Sequence, residues 1–255
     1  MGVRVSIFED PTFRSAREAL ADATSIVFFT GAGLGAESGI PTFRGAGGLW
    51  EGFRAEELAS PDGFARHPEK VWEWYQWRRD AIAAAEPHDG HRAIARRLAR
   101  RSSDSIVTQN VDGLHARAAE SEGHDVDRII ELHGNIWRTH CHRCRQESAA
   151  VERFNGDVPR CECGGSLRPG VVWFGESLPA DAWQRADRAI EGATAMVVVG
   201  TSGVVEPAAS LARHAIGRGA AVVEVNPDPV LAGALALAGP AAELLPPLLG
   251  PDDGV

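Results

Sequence analysis

The residues from Thr30 to Trp50, TGAGLGAESGIPTFRGAGGLW, restrict this chain more than any other stretch. Ahead of them, Ser25-Ile-Val-Phe-Phe29 is a short apolar run of β-branched and aromatic residues, which reads as a buried strand. Gly31, Gly33 and Ala36 then form a G-x-G-x-x-A pattern where strand gives way to helix. Such a turn lets the backbone approach a pyrophosphate, and the free N–H groups of the following helix favour the anion. Alone, the triplet is a weak sign of a dinucleotide, because glycine-rich turns are common. An ordinary dinucleotide fold runs on through a full helix to a second strand with an acidic residue about 20 positions later. Here Gly39 and Pro41 cut the helix short, and Thr42-Phe43-Arg44-Gly45 has no strand pattern. Gly45-Ala-Gly-Gly48 implies a mobile loop. The expectation is a flap over the cofactor carrying an aromatic ring (Phe43) and a permanent cation (Arg44), which suits cofactor cleavage better than reversible hydride transfer.

The rest of the chain reads as strand–helix alternation. Helical patterns run from Asp10 to Ala23, Pro68 to Ala85, Gly90 to Arg101, Pro179 to Ile190 and Pro207 to Arg218. Strand patterns run over Asp104–Gln109, Arg128–Leu132, Ala195–Val199 and Ala221–Val225, the last clear strand. After Gly239 the chain is rich in Pro and Gly, and the last five residues read as frayed. The alternation predicts an α/β fold, a doubly wound parallel sheet of Rossmann-like type. Residues 1–43, 86–133 and 173–255 are expected to build it, and 44–85 with 134–172 a smaller domain of helical module and metal ribbon.

Charge narrows the partners. The net charge is −9, and Lys70 is the only lysine. An acidic surface argues against nonspecific binding to nucleic acid or anionic membranes. No apolar run approaches the roughly 18 residues of a membrane helix, and the N-terminal residues lack the apolar core of an export signal. The cytoplasm is the expected compartment.

All four cysteines fall in one segment, as Cys141-His-Arg-Cys144 and Cys161-Glu-Cys163. Two thiol pairs beside glycines, in a reducing compartment, read as one structural Zn²⁺ site. Two disulfides or four free thiols are the alternatives, and His140 or His142 could replace one thiol. No position is left open for a substrate, so the metal is expected to hold the fold.

Ligands of open α/β sheets bind beyond the carboxyl ends of strands. Two motifs fall there: Thr108-Gln-Asn-Val-Asp-Gly-Leu-His115 and Glu131-Leu-His-Gly-Asn135. Together with GAGLGAESGIPTFRG, Arg168-Pro-Gly-Val-Val-Trp-Phe-Gly-Glu176, Gly200-Thr-Ser-Gly203 and Val225-Asn226, they resemble the signature of the sirtuins, NAD-dependent protein-lysine deacylases. The likeness spans almost the whole chain in the family's order. It implies that an acyl-lysine carbonyl oxygen attacks C1′ of the nicotinamide ribose, that nicotinamide leaves, and that His133 as general base deprotonates the ribose hydroxyls. An imidazole with a pKa near 6.5 suits that task; a buried structural histidine is the alternative. Asn110 and Asp112 would hold the ribose and carboxamide. The NAD site implied by the resemblance comprises Gly31, Ala32, Gly33, Ala36, Glu37, Pro41, Thr42, Phe43, Arg44, Trp50, Gln109, Asn110, Val111, Asp112, Gly200, Thr201, Ser202, Asn226, Pro227 and Ala241. Val172, Trp173, Phe174, Gly175 and Glu176, with Gly203, Val204 and Val205, would hold acyl-lysine proteins or peptides by strand addition. Glu206 departs from the aromatic or amide often found at its position. The histidines at 67, 88, 91, 115, 124 and 214 are expected to be surface or structural.

Tyr75 and Arg78 stand at i and i+3 of the aromatic helix and so share a face. They resemble the pair of sirtuins that prefer succinyl-, malonyl- and glutaryl-lysine. A carboxylate in an apolar tunnel needs a partner, and a guanidinium fork matches it. The alternative is a solvated helix arginine beside a core tyrosine. Mono-ADP-ribosyl transfer, or a catalytically silent NAD or ADP-ribose sensor, are the competing functions.

Overall fold

The structure, a computed structural model, describes residues 7–43, 48–52, 54–124 and 126–250. Two sheets organise them. The larger has six parallel strands: β1 (Ile26–Thr30), β2 (Ser105–Thr108), β3 (Ile129–Glu131), β7 (Ala195–Val199), β8 (Ala221–Asn226) and β9 (Leu235–Ala238), in the order β3-β2-β1-β7-β8-β9. This is the doubly wound order with its reversal between β1 and β7. The smaller sheet is antiparallel, β4 (Gly134–Cys141) between β5 (Glu147–Ser148) and β6 (Leu167–Val171), with a register shift between Gly134 and Thr139.

Every residue of β1 and of β7 is buried, which is why both read as unbroken apolar runs. Successive side chains alternate between faces. Ile26 and Phe28 join one core with Phe13 and Leu20 of α1 (Pro11–Asp22) and Ile94 and Leu98 of α7 (Asp89–Arg100). Val27 and Phe29 join the opposite core with Ala186 and Ile190 of α9 (Ala180–Gly192) and Leu211 and Ala215 of α10 (Ser210–Gly217). A third core lies under the small sheet. There Trp72, Tyr75 and Ile82 of α6 (Pro68–Ala83) meet Phe64, Ile136, Val171 and Trp173.

Short helices bridge the glycine turn and α6: α2 (Ala32–Ala36), α3 (Leu49–Gly52), α4 (Ala55–Leu58) and α5 (Pro61–Arg66). Ser60 caps α5, accepting from Gly63 N at 3.0 Å with Pro61 in the first turn. Three elements depart from the sequence expectation. Helix α8 (Leu114–Ser121) follows the Gln-Asn-Val-Asp motif; its start is set by Gly113 at φ +79° and by Asp112 Oδ1, which accepts from Leu114 N at 2.8 Å. Strand β9 lies beyond the strand expected to be last, because Leu-Ala-Leu-Ala carries weak β propensity yet finds β8 as a template. Helix α11 (Ala241–Leu248) contains Pro246 and Pro247, yet Leu244, Leu245 and Leu248 are core residues. Apolar anchoring there outweighs the two missing N–H donors.

Candidate active site

The carboxyl ends of β1, β2, β3, β7 and β8 open into one cavity of about 590 Å³. At the strand reversal two glycine loops press together: Gly31 N donates to Val199 O at 2.9 Å and Gly33 N to Gly200 O at 2.7 Å. A Cβ on Gly33 would stand 2.7 Å from Gly200 Cα. Gly200 has φ +58°, and its Cβ would meet Leu34 N at 2.3 Å. Contact between the two loops therefore demands these glycines even before any phosphate is considered.

Amide side chains line the cavity from β2 and β8. Gln109 Nε2 donates to Thr201 Oγ1 at 3.1 Å, and Asn226 Nδ2 to Thr201 O at 2.9 Å, so one threonine joins three strand ends. Asn110 is 8% exposed; its backbone N–H donates to Thr108 Oγ1, while its buried Nδ2 has no partner among the described residues. A buried amide donor facing a cavity needs an acceptor. The ribose hydroxyls and carboxamide of NAD supply such acceptors, so the donor set fits the dinucleotide.

His133 follows β3 and lines the same cavity. Its Nδ1 lies 3.0 Å from Gln109 O. A carbonyl only accepts, so Nδ1 carries the hydrogen and Nε2 of the neutral ring keeps its lone pair. Burial lowers the pKa of His133 below the usual 6.5, against the pull of that hydrogen bond. The ring is thus neutral at physiological pH and able to take a proton. Asp112 sits behind the cavity wall, where burial raises its carboxyl pKa. Its Oδ1 caps α8, and a Cβ on Gly35 would lie 3.1 Å from its Oδ2.

Other expected cofactor residues divide. Gly31, Ala32, Gly33, Thr42, Phe43, Val111, Gly200, Thr201 and Ser202 line the cavity. Ala36, Glu37, Pro41, Pro227 and Ala241 do not. Glu37 instead accepts from Ala241 N at 2.7 Å and Ala242 N at 2.8 Å, an anionic cap on the positive end of α11. Arg44, most of the glycine flap and the side chain of Trp50 lie outside the described residues.

The far end of the cavity is aromatic. Tyr75 and Arg78 both line it and are 2% and 6% exposed. The Arg78 guanidinium lies 4.8 Å from the Phe43 ring centroid and 5.0 Å from that of Trp74. Burial lowers its pKa, against the opposing influence of the adjacent Tyr75 and of the Asp112 carboxylate. Among the described residues no carboxylate forms an ion pair with it. Val172, Trp173, Phe174, Gly175 and Glu176 line this end too, with Val172 N donating to His133 O at 2.8 Å. The Glu176 carboxylate, expected on substrate, is held within the protein: Arg168 Nη1 and Nη2 reach its two oxygens at 2.8 Å each, and Trp173 N donates to Oε2 at 2.9 Å. Of the expected Gly203–Val205, only Val205 lines the cavity, joined there by Glu206 and Pro207. Sequence reading missed Ala59, Leu178, Asp228 and Val230, which also line it. Asp228 and Val230 belong to a loop tied down by buried Glu224, which accepts from Val230 N and Leu231 N.

The four cysteine sulfurs lie within 4.8 Å of one another. Cys141 and Cys163 Sγ stand 3.5 Å apart, Cys144 and Cys161 Sγ 3.7 Å. A disulfide would bring sulfurs to about 2.0 Å, whereas tetrahedral zinc with bonds of about 2.3 Å separates them by about 3.8 Å. Backbone N–H groups of Arg143 and Cys144 point at Cys141 Sγ at 3.3 and 3.4 Å. The cluster fits one structural zinc ion. His142 packs instead on Phe64 and Trp173, at ring-centroid distances of 5.2 and 6.5 Å.

His88, His91 and His115 are packed ring against ring behind the site. Burial drives His115 down to about 3 and His91 well below its usual value. A second depression of about 380 Å³ lies between Arg54, Glu57, Arg66 and Lys70, away from the sequence motifs. No helix among the described residues is long and apolar enough to cross a membrane.

Known proteins share this arrangement. Residues 31–207 match the profile of the Sir2 family. An NAD-dependent protein deacylase from Aquifex aeolicus is 52% identical over 206 residues, 80% of this chain and 84% of its own. NAD-dependent protein deacylase 2 from Pyrobaculum aerophilum is 47% identical over 234 residues, 90% and 92% of the two chains. A solved Sir2 homologue in complex with NAD superposes with a TM-score of 0.83 at 43% identity, covering 92% of each chain. Sir2Af2 bound to a myristoylated histone peptide superposes at 0.72 and 35%, covering 93% and 94%.

Proposed function

The chain belongs to the Sir2 family and is an NAD-dependent protein deacylase; from that premise we propose that it acts on lysines carrying short acidic acyl groups, succinyl, malonyl or glutaryl, as well as acetyl. Arg78 carries this reading. A guanidinium buried at the end of a cavity, with no ion-pair partner among the described residues, is costly unless a ligand brings the anion. A carboxylate on the acyl group is such an anion, and its planar oxygens match the fork.

His133 is the general base. Its Nε2 takes a proton from the substrate side while Nδ1–H, held by Gln109 O, keeps the ring in place. Asn110 presents its unpartnered amide to the cofactor, and Asp112 steadies that segment by capping α8. Bound NAD supplies the glycosidic bond that is broken and the ribose that accepts the acyl group. Gly31, Gly33 and Gly200 with Thr201 and Ser202 hold its phosphates, Gln109 and Asn226 its ribose. The peptide lies between the loops at 172–176 and 203–207, and the zinc ion serves the ribbon alone.

Arg78→Met keeps the apolar stem and removes the charge. Desuccinylation should fall about a hundredfold in kcat/KM, the effect of leaving a carboxylate buried without its partner. Deacetylation should fall far less. Equal loss of both activities would defeat the assignment.

A further inference from the structure

We propose that Trp173 is a positioning residue for acyl recognition: its indole N–H occupies a lone pair of the Tyr75 hydroxyl, so that the hydroxyl hydrogen is left for an acyl carboxylate beside Arg78. The inference rests on the acidic-acyl reading and assigns what aims its second donor.

Trp173 Nε1 donates to Tyr75 Oη at 2.8 Å, and both side chains are 2% exposed. Indole N–H is only a donor, so Tyr75 must accept from it. Arg78, next to the ring, is also only a donor. Among the described residues the tyrosine hydrogen therefore has no acceptor. A carboxylate completes this set, whereas the methyl group of an acetyl-lysine does not.

The indole is clamped so that it cannot turn away. Its backbone N–H is held by Glu176 Oε2 at 2.9 Å. The Arg168 guanidinium lies 3.3 Å over its ring and pairs with both Glu176 oxygens. Arg168 Nη2 also donates to Val171 O at 2.6 Å. Arg145, next to zinc ligand Cys144, reaches Glu176 Oε1 at 3.3 Å. The pin on the acyl pocket thus runs back to the zinc knuckle.

The test compares kcat and KM on succinyl- and acetyl-lysine peptides for the wild type, W173F, Y75F and the double variant. W173F fills the space without the N–H. Its succinyl-to-acetyl ratio of kcat/KM should fall about tenfold, the worth of one buried hydrogen bond of about 1.4 kcal/mol, chiefly through KM for the succinyl peptide. In Y75F the same change should add nothing further to the ratio. Glu176→Gln, which keeps the indole and loosens its clamp, should lower the ratio in the same direction by about threefold, and covers the case in which W173F does not fold. Equal losses on both peptides in W173F, or losses that multiply in the double variant, would overturn the role of Trp173. If Arg78→Met also leaves the ratio unchanged, the acidic-acyl reading fails; if Arg78→Met collapses the ratio and W173F does not, this inference alone fails.

Discussion

The two sheets of this protein are stable for different reasons. The six-stranded sheet is covered on both faces by continuous apolar cores, with Phe28 and Val197 on one side and Phe29 and Val198 on the other. The three-stranded sheet has one short strand of two residues, a register shift in its centre and a cluster of four thiols at one end. Its aromatic core is threaded by buried arginines whose polar heads bind backbone carbonyls and a carboxylate. Arg79 donates to the carbonyls of Ile136 and Val151, and Arg168 holds Glu176. The glycine loops and His133 stand at the carboxyl ends of the first sheet's strands, whereas the aromatic end of the cavity is completed by Val171 of the second sheet and the residues that follow it. In the proposed reading, the chemistry belongs to the apolar-packed large sheet, and substrate choice to the part of the chain that carries the thiol cluster and the buried Arg79 and Arg168.

Removing the metal should separate the two most sharply. Structural zinc supplies on the order of 10 kcal/mol to small ribbons. Cys141→Ser, or strong chelation, should therefore abolish peptide deacylation and hydrogen-exchange protection between residues 134 and 171. Protection of β1 and β7 should persist. Loss of zinc that left the ribbon ordered would show that apolar packing suffices there.

A break confined to the large sheet comes next in size. Gly33→Ala drives a Cβ to 2.7 Å from Gly200 Cα. Overpacking of this kind costs about 1–3 kcal/mol, so ADP-ribose affinity should fall about tenfold or more by calorimetry. The acyl preference of the remaining activity should not change. A shift in that preference would mean that the two regions are less separate than their packing indicates.

The smallest effect is set by buried imidazoles. His115, held down to about 3, and His133, lowered by burial, are neutral in the folded chain and protonate when it unfolds below pH 6.5. Their contribution is complete above that value and is lost as pH falls toward the folded pKa values. His115→Gln should reduce proton uptake on unfolding at pH 5 by about one proton. The acid limb of kcat/KM, assigned to His133 in the proposed mechanism, should lie below pH 6.5 and stay there in His115→Gln.

How far the chain could be read follows the same division. The large sheet was legible because buried parallel strands are apolar runs ending in glycine or amide motifs, as at Val199-Gly200 and Thr108-Gln109. The thiol cluster was legible from spacing. Strand β9 and helix α11 were not, because Leu235–Ala238 has little strand character and two prolines disguise a helix anchored by Leu244 and Leu245. The duties of Glu37 and Glu176 were also hidden. Each carboxylate stands in a motif that suggests ligand contact, yet its partners are backbone N–H groups or an arginine distant in sequence. Nothing local in a sequence announces such pairings. Tyr75 and Arg78 were visible as a helical pair, whereas the Trp173 bond that aims Tyr75 spans 98 positions.

The most direct measurement is the product balance of the wild-type protein incubated with NAD and a succinyl-lysine peptide. Nicotinamide, free peptide and O-succinyl-ADP-ribose should form in equal amounts, faster than from the acetyl peptide, and formation of free peptide should disappear in His133→Ala. ADP-ribosylated protein without free peptide, or no release of nicotinamide at all, would contradict an acyl transfer carried out at the carboxyl ends of the large sheet's strands.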